Sequence, residues 1–280
     1  MNTQVPSLIK PIGCMKSLSD MNAISVLILA GQREGVVDPL CAQAGITRKA
    51  VLPINGRPMI DYVLEALSRA GLKQPFHISG YSADHDKRLV QSPQAPGPAG
   101  STLAALTHRD EKGDRIDFPV IVTTADHPLL KAEMVESFIE GARQSGADFC
   151  VGLASRETIQ PAYPDIKRTY LKFADIAVSG CNLFYLANEK GVEAVKFWQK
   201  AQHYRKRPIK LASQFGWRIL IDYVLGKLTL DGAFKYASNH LNIIAKPVLI
   251  PIAEAAIDVD KPSDKRWVEA ILTKQDRATS

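Results

Sequence analysis

The sequence predicts an α/β protein: a three-layer α/β/α sandwich on a mainly parallel, mixed sheet, with a helical elaboration toward the C-terminus. Three observations carry this. Ile24–Ala30 is an apolar, β-branched run without alternation, the pattern of a strand buried on both faces of a parallel sheet. Val120–Thr124 repeats that pattern. Strand-like and helix-like stretches alternate through the first half, as in a sheet connected by right-handed helical crossovers.

The first strand stops at Gly31, and a long polar and basic loop runs from Gln32 to Lys49. Loops of that length without structure of their own tend to carry function. VLPINGRPMIDYVLEALSRAG then reads as a short strand, a turn at Asn55-Gly56 and a helix. Pro58 suits that helix's first turn, Met59, Tyr62, Val63, Leu64 and Leu67 form its apolar stripe, and Gly71 closes it. Phe76–Gly80 is a second short strand, and Ser92–Ser101 is too rich in Pro and Gly for regular structure. A helix starts at Ser101. After Val120–Thr124 come a helix over Lys131–Gln144 and a strand over Ala147–Ala154.

Beyond Ser155 the alternation loosens. Tyr170–Phe173 and Asn182–Leu186 can pair as an antiparallel ribbon, and helices are expected over Val192–His203, over Ala212–Gly226 and from Leu230. Leu249–Val259 returns to strand-like sequence, and Pro262-Ser263-Asp264 starts a last helix. Residues 1–20 read as a loose tail, 21–275 as a single domain, and 155–245 within it as an insertion on the side of a second substrate.

Composition narrows the function. With 280 residues, 46% hydrophobic and 23% charged, the chain is an ordinary globular protein with room for a substantial core. A net charge of +6 suits anionic small molecules but is too dispersed for nucleic acid. The compact basic cluster Arg205-Lys206-Arg207 lacks interleaved aromatic residues and reads as a solvated face. Cys14, Cys41, Cys150 and Cys181 form no CxxC pair and read as reduced thiols of a cytoplasmic protein. No segment approaches the roughly 18 to 20 apolar residues of a membrane span, and the first twenty residues lack the apolar stretch of a secretory signal.

The first strand and its sequel, LAG followed by RKAVLPINGRPMIDYVLEAL, resemble the GT-A-type nucleotidyltransferases, the group that includes MobA-like NTP transferases. Leu29, Ala30, Gly31, Lys49, Leu52, Pro53, Gly56, Arg57, Pro58 and Met59 fall on that pattern, and the resemblance extends over about Ile24 to Asp264. It implies a Rossmann-like GT-A fold. It also implies a reaction: a phosphate on a small-molecule acceptor attacks the α-phosphorus of a nucleoside triphosphate in line, and pyrophosphate leaves. Such a transition state gathers negative charge, so positioned cations and Mg²⁺ do most of the catalysis.

The resemblance then assigns roles. Lys49 matches the lysine that contacts the phosphates, and Arg33, with Arg48 as the other candidate, serves the triphosphate. Asp126, in TTADHPLL directly after a buried strand, matches the aspartate that ligates magnesium, a position where open α/β sheets bind ligands. AIDVDKPSD resembles the segment carrying the second metal ligand, with Asp260 preferred and Asp258 its rival, while Asp264 reads as a helix cap. Leu29, Ala30 and Gly31 floor the nucleotide site, and Gly100 and Ser101 fall where the base or ribose is read. SGCNLF resembles the acceptor-contacting segment, which points to Asn182, with Arg168 and Lys172 (and Lys167) for the acceptor phosphate. The DVDKPSD ending leans toward CTP and hence a CMP unit. The alternatives are a GT-A glycosyltransferase using a nucleotide sugar, disfavoured by a single carboxylate in Thr124-Ala125-Asp126, and a non-catalytic nucleotide-binding protein. A dinucleotide oxidoreductase is disfavoured because no GxGxxG follows the first strand.

Overall fold

The structure is a computed structural model that describes residues 21–279 apart from 33–37, 83, 85, 111, 202–209 and 211–216. Arg33, the tail 1–20 and the cluster Arg205–Arg207 therefore lie outside the described residues.

The strands are β1 (Ser25–Leu29), β2 (Pro53–Ile54), β3 (Arg57–Pro58), β4 (Phe76–Ser79), β5 (Leu89–Ser92), β6 (Val120–Thr124), β7 (Phe149–Ser155), β8 (Leu171–Lys172), β9 (Ala177–Leu186) and β10 (Ala245–Leu249). The main sheet has the order β10-β7-β9-β6-β1-β4-β5, with β8 paired to β9. The pairs β1–β4, β1–β6, β4–β5 and β7–β10 are parallel, and β9 is antiparallel to β6, β7 and β8. The sheet is thus mixed and mostly parallel.

The helices are α1 (Pro39–Ala44), α2 (Met59–Arg69), α3 (Gly97–Thr107), α4 (Ala132–Ser145), α5 (Arg156–Ala162), α6 (Val192–Ala201), α7 (Trp217–Val224), α8 (Leu230–Leu241) and α9 (Pro262–Thr279). β1 runs between β6 and β4 and is buried on both faces, as its sequence requires. Val26 and Ile28 pack with Val63, Leu64 and Leu67 of α2 and with Met134 and Phe138 of α4. Leu27 and Leu29 face the other layer, packing with Ala99, Ala105 and Leu106 of α3 and with Ala194 and Val195 of α6. The short strands β2 and β3 pair around Asn55 and Gly56, both at positive φ, so the turn forms as expected while Pro58 caps α2 from outside.

Several expectations need correction. The stretch Gln32–Lys49 is not all loop, because it contains α1, capped by Asp38 Oδ1 at 2.8 Å from the Leu40 amide and closed by Gly45 at φ 64. α3 begins at Gly97, inside the stretch expected to be irregular, because a proline in the first helical turn sacrifices no hydrogen bond. β5 has no counterpart among the expected elements; it is a four-residue edge strand anchored by Arg88, which bonds Asp86 and Asp61. β9 is ten residues long, and the ribbon partner of β8 is Ala177–Val178 rather than Asn182–Leu186.

The last strand ends at Leu249, the residue at which the sequence places its start, since β10 is an edge strand that tolerates Pro247. A 3-10 turn, Ala253–Ala256, comes next. The segment after it reaches the sheet through the Val259 amide, which bonds the Asp126 carbonyl at 3.0 Å. Among the described residues no helix is long and apolar enough to cross a membrane.

Candidate active site

Three distant parts of the chain meet at the C-terminal ends of β1 and β6. The Ala125 amide bonds the Leu29 carbonyl at 3.0 Å, which extends the β1–β6 ladder by one residue and fixes where Asp126 begins. The segment before α9 lies alongside through Val259 and brings Asp258 and Asp260 with it. Lys49 opens a 3-10 turn, Lys49–Val51, whose Ala50 is buried in the core.

Its ammonium lies between two carboxylates, 2.9 Å from Asp126 Oδ2 and 3.1 Å from Asp260 Oδ1. Burial disfavours the charge on Lys49, but Asp126 and Asp260 outweigh it and hold its pKa above the ordinary lysine value. Asp126 is pulled the other way: burial raises its pKa, and Lys49, aided by the Thr124 hydroxyl and His127, more than offsets that, leaving it below the usual carboxylate range. Both groups are charged.

This arrangement bears on the magnesium expectation. Two carboxylates converge on one cationic group, and Asp126 Oδ1 is buried with no hydrogen-bond partner among the described residues. An orphaned carboxylate oxygen inside a protein is costly unless something completes it. Mg²⁺ is commonly held by one or two carboxylates, with phosphates and water filling the remaining positions. The donor set therefore fits the metal. His127 lies beside it with its side chain buried, Nε2 bonding the Glu254 carbonyl at 3.0 Å, and belongs to the packing.

The second pair of predicted residues gathers on Asp258 instead. Arg168 Nη1 donates to Asp258 Oδ1 at 2.8 Å, and Asn182 Nδ2 to Oδ2 at 2.9 Å. Both oxygens of Asp258 are therefore used within the chain, whereas Asp260 faces Lys49 and is 69% exposed. Lys167 and Lys172 are exposed. Asp264 accepts from the amides of Asp260 and Lys261 at 3.1 and 3.2 Å, the bonds of a helix cap.

At the end of β1, the Ala30 amide bonds the Ser79 carbonyl, and Gly80 packs directly on Gly31. A cleft of about 210 Å³ opens here, lined by Arg48, Gly80, Tyr81, Ser82, Gln91 and Gln94. Gly100 and Ser101 do not line it. Both are buried inside α3, where the Ser101 hydroxyl donates to the Ala95 carbonyl at 2.8 Å and Gly100 faces Gln199 of α6. Gln91 lies in β5, a strand that the sequence did not show, and Gln94 in the segment after it; the polar positions of VQSPQ were the available signal. A larger cleft of about 300 Å³, lined in part by His77, His108 and Asp117, contains none of these residues except Gln91.

Comparison with known proteins bears on the domain and the fold. Residues 40–177 match the model of the MobA-like NTP transferase domain. The bifunctional protein GlmU of Bdellovibrio bacteriovorus is 27% identical over 105 residues, covering 37% of this chain and 23% of that protein. The GlmU of Symbiobacterium thermophilum is 28% identical over 153 residues, 51% of this chain and 29% of that protein. The chain spans about a quarter of the length of the curated relatives it matches. A hypothetical transferase structure from Thermus thermophilus superposes with a TM-score of 0.72 at 29% identity, covering 86% of this chain and 98% of that one. In fold alone, the 4-diphosphocytidyl-2C-methyl-D-erythritol synthase of Anaerococcus prevotii is similar, with a TM-score of 0.50 at 12% identity over 92% of this chain and all of that one. Over residues 40–177 the chain is thus similar to the MobA-like NTP transferase domain, carried on a GT-A-like α/β fold.

Proposed function

We propose that the protein transfers a nucleoside monophosphate unit from a nucleoside triphosphate to a phosphorylated small molecule, with Mg²⁺ as cofactor and CTP as the first donor to test. The observation that carries this reading is the Lys49 ammonium held between Asp126 and Asp260 at the end of the two central strands. A site whose ion pair and orphaned oxygen gather on one point is suited to the charge that builds up in phosphoryl transfer.

In this reading residues 21–275 form one catalytic domain. The backbone of Leu29, Ala30 and Gly31 floors the base and sugar, with Arg48 and Gln94 at the cleft's edge. Asp126 and Asp260 would hold Mg²⁺, which when bound screens the phosphate charge. Lys49 would pair with the triphosphate, and Arg33 is the second cation for these phosphates. Arg168, Lys172 and Asn182 face the acceptor. An oxygen of the acceptor phosphate attacks the α-phosphorus, the bond from that phosphorus to the bridging oxygen breaks, and the electron pair leaves with pyrophosphate. The reaction belongs to the cytoplasm in this reading, where a triphosphate donor is at hand.

The test is a pyrophosphate-release assay with each of four nucleoside triphosphates against a panel of phosphorylated sugars, polyols and pterins. Release that needs both substrates supports the reading. Turnover only with a nucleotide sugar overturns it.

A further inference from the structure

The bulge in β9 and the side chains around it carry an inference about Asp258. The β7–β9 ladder pairs Val151 with Phe184 and then Leu153 with Gly180, so three residues of β9, Cys181 to Leu183, stand against the single Gly152 of β7. Asn182 stands at the middle of this bulge, with φ 52 in the left-handed region. The β6–β9 pairing stops at Val122–Phe184, so the bulge coincides with the point where the sheet parts beside the end of β6. Bulges next to active sites serve to re-aim a side chain, and asparagine is among the few residues that accept this backbone conformation.

Here the re-aimed side chain is the Asn182 amide, and its target is Asp258. A carboxylate can only accept, so it holds the amide with Nδ2 inward and Oδ1 turned away, free of any hydrogen bond from the described residues. The same carboxylate takes Arg168 Nη1, with both side chains only 15% exposed. Two buried groups of this neighbourhood remain unsatisfied: Arg168 Nε and Tyr170 Oη have no partner among the described residues. Buried donors without partners mark a place that a ligand or a rearrangement completes.

We propose that Asp258 is a positioning residue for the acceptor: it fixes Arg168 and Asn182 as one recognition unit and leaves the cation seat to Asp126 and Asp260. The unit reads two features. The guanidinium takes an anionic group, and Asn182 Oδ1, locked as an acceptor, takes a hydroxyl or N–H. The acceptor class is therefore a phosphate ester that also carries a hydrogen-bond donor. This rests on the nucleotidyl-transfer reading, which its test is built to separate.

The experiment compares D258N, D258E, N182G and D260N with the parent protein, each checked for folding by thermal unfolding. Mn²⁺ alone, followed by electron paramagnetic resonance, probes the cation seat. D258N and N182G are expected to bind Mn²⁺ within about twofold of the parent, and D260N at least about tenfold more weakly. In steady-state kinetics with the donor and acceptor found by the pyrophosphate screen, D258N and N182G raise the acceptor KM about tenfold or more. The KM of the triphosphate stays within about twofold, and D258E recovers part of the loss. N182G separates recognition from strain, since glycine accepts the bulge backbone. Loss of Mn²⁺ in D258N equal to that in D260N makes Asp258 a metal ligand and overturns the proposal. So does an unchanged acceptor KM, or an equal change in both KM values. If no pair in the screen releases pyrophosphate, the nucleotidyl-transfer reading fails and takes the acceptor role with it, while the Mn²⁺ arm still decides which aspartate serves the cation.

Discussion

Lys49 Nζ lies 2.9 Å from Asp126 Oδ2, joining residues 77 positions apart in the chain. In the proposed reading Asp126 holds a divalent cation, and the ammonium and the metal would then compete for one carboxylate. At about 4 Å two unit charges near a protein surface interact by about 4 kcal/mol, and about 1.4 kcal/mol is tenfold in affinity. K49M is expected to bind Mn²⁺ in the absence of nucleotide about tenfold more tightly, while its affinity for the triphosphate falls. Paramagnetic titration with and without nucleotide measures both, and weaker Mn²⁺ binding in K49M would contradict the competition.

Asp126 should be indispensable to turnover. D126N keeps the shape but removes the charge that Lys49 faces, and losing one preorganised electrostatic group costs about 10² to 10³ in rate. Turnover of D126N within about tenfold of the parent, at matched folding by circular dichroism, would remove Asp126 from the site.

The close approach of Gly80 and Gly31 makes opposite demands on the two positions. A β-carbon at Gly80 would overlap the Gly31 Cα, and its φ is +86, so neither space nor backbone admits a side chain. G80A is expected to lose about 2–4 kcal/mol of stability, adding left-handed strain to overpacking. At Gly31 the nearest atom to a β-carbon would be Gln94 Nε2, at 3.3 Å, and that side chain can move. G31A should therefore fold with little loss but bind nucleotide more weakly. Denaturant unfolding and nucleotide titration of both variants check this.

Acid should weaken the α2 anchor in a defined window. The hydrogen bond from Arg57 holds Glu65 below the usual carboxylate value, with burial opposing and Arg69 adding to the pull. A depressed carboxylate stabilises the fold above its unfolded pKa, about 4.3, and that contribution fades as pH falls through the lower folded value. E65Q is thus expected to melt below the parent at pH 7 and to converge with it near about pH 3. Equal melting temperatures at pH 7 would show that the pair contributes nothing.

By itself the sequence determined the buried strand β1, the turn at Asn55-Gly56 and the helices α2 and α4, and it named the candidate residues of the proposed phosphate and metal site. These are local signals: unbroken β-branched runs, an Asn-Gly pair, a helical stripe, and short motifs read by resemblance. Short edge strands such as β5, and β10 with its internal proline, were not legible, because their pairing comes from neighbours that local propensity does not encode. Only the tertiary structure decided how the aspartates divide. Asp258 and Asp260 are two residues apart and chemically identical, and nothing local distinguishes them. What does is distance: Lys49 reaches Asp260 from 211 positions away, while Arg168 and Asn182 reach Asp258 from 90 and 76. The partners, set by the folding of remote segments onto the C-terminal ends of the central strands, give the two carboxylates different surroundings.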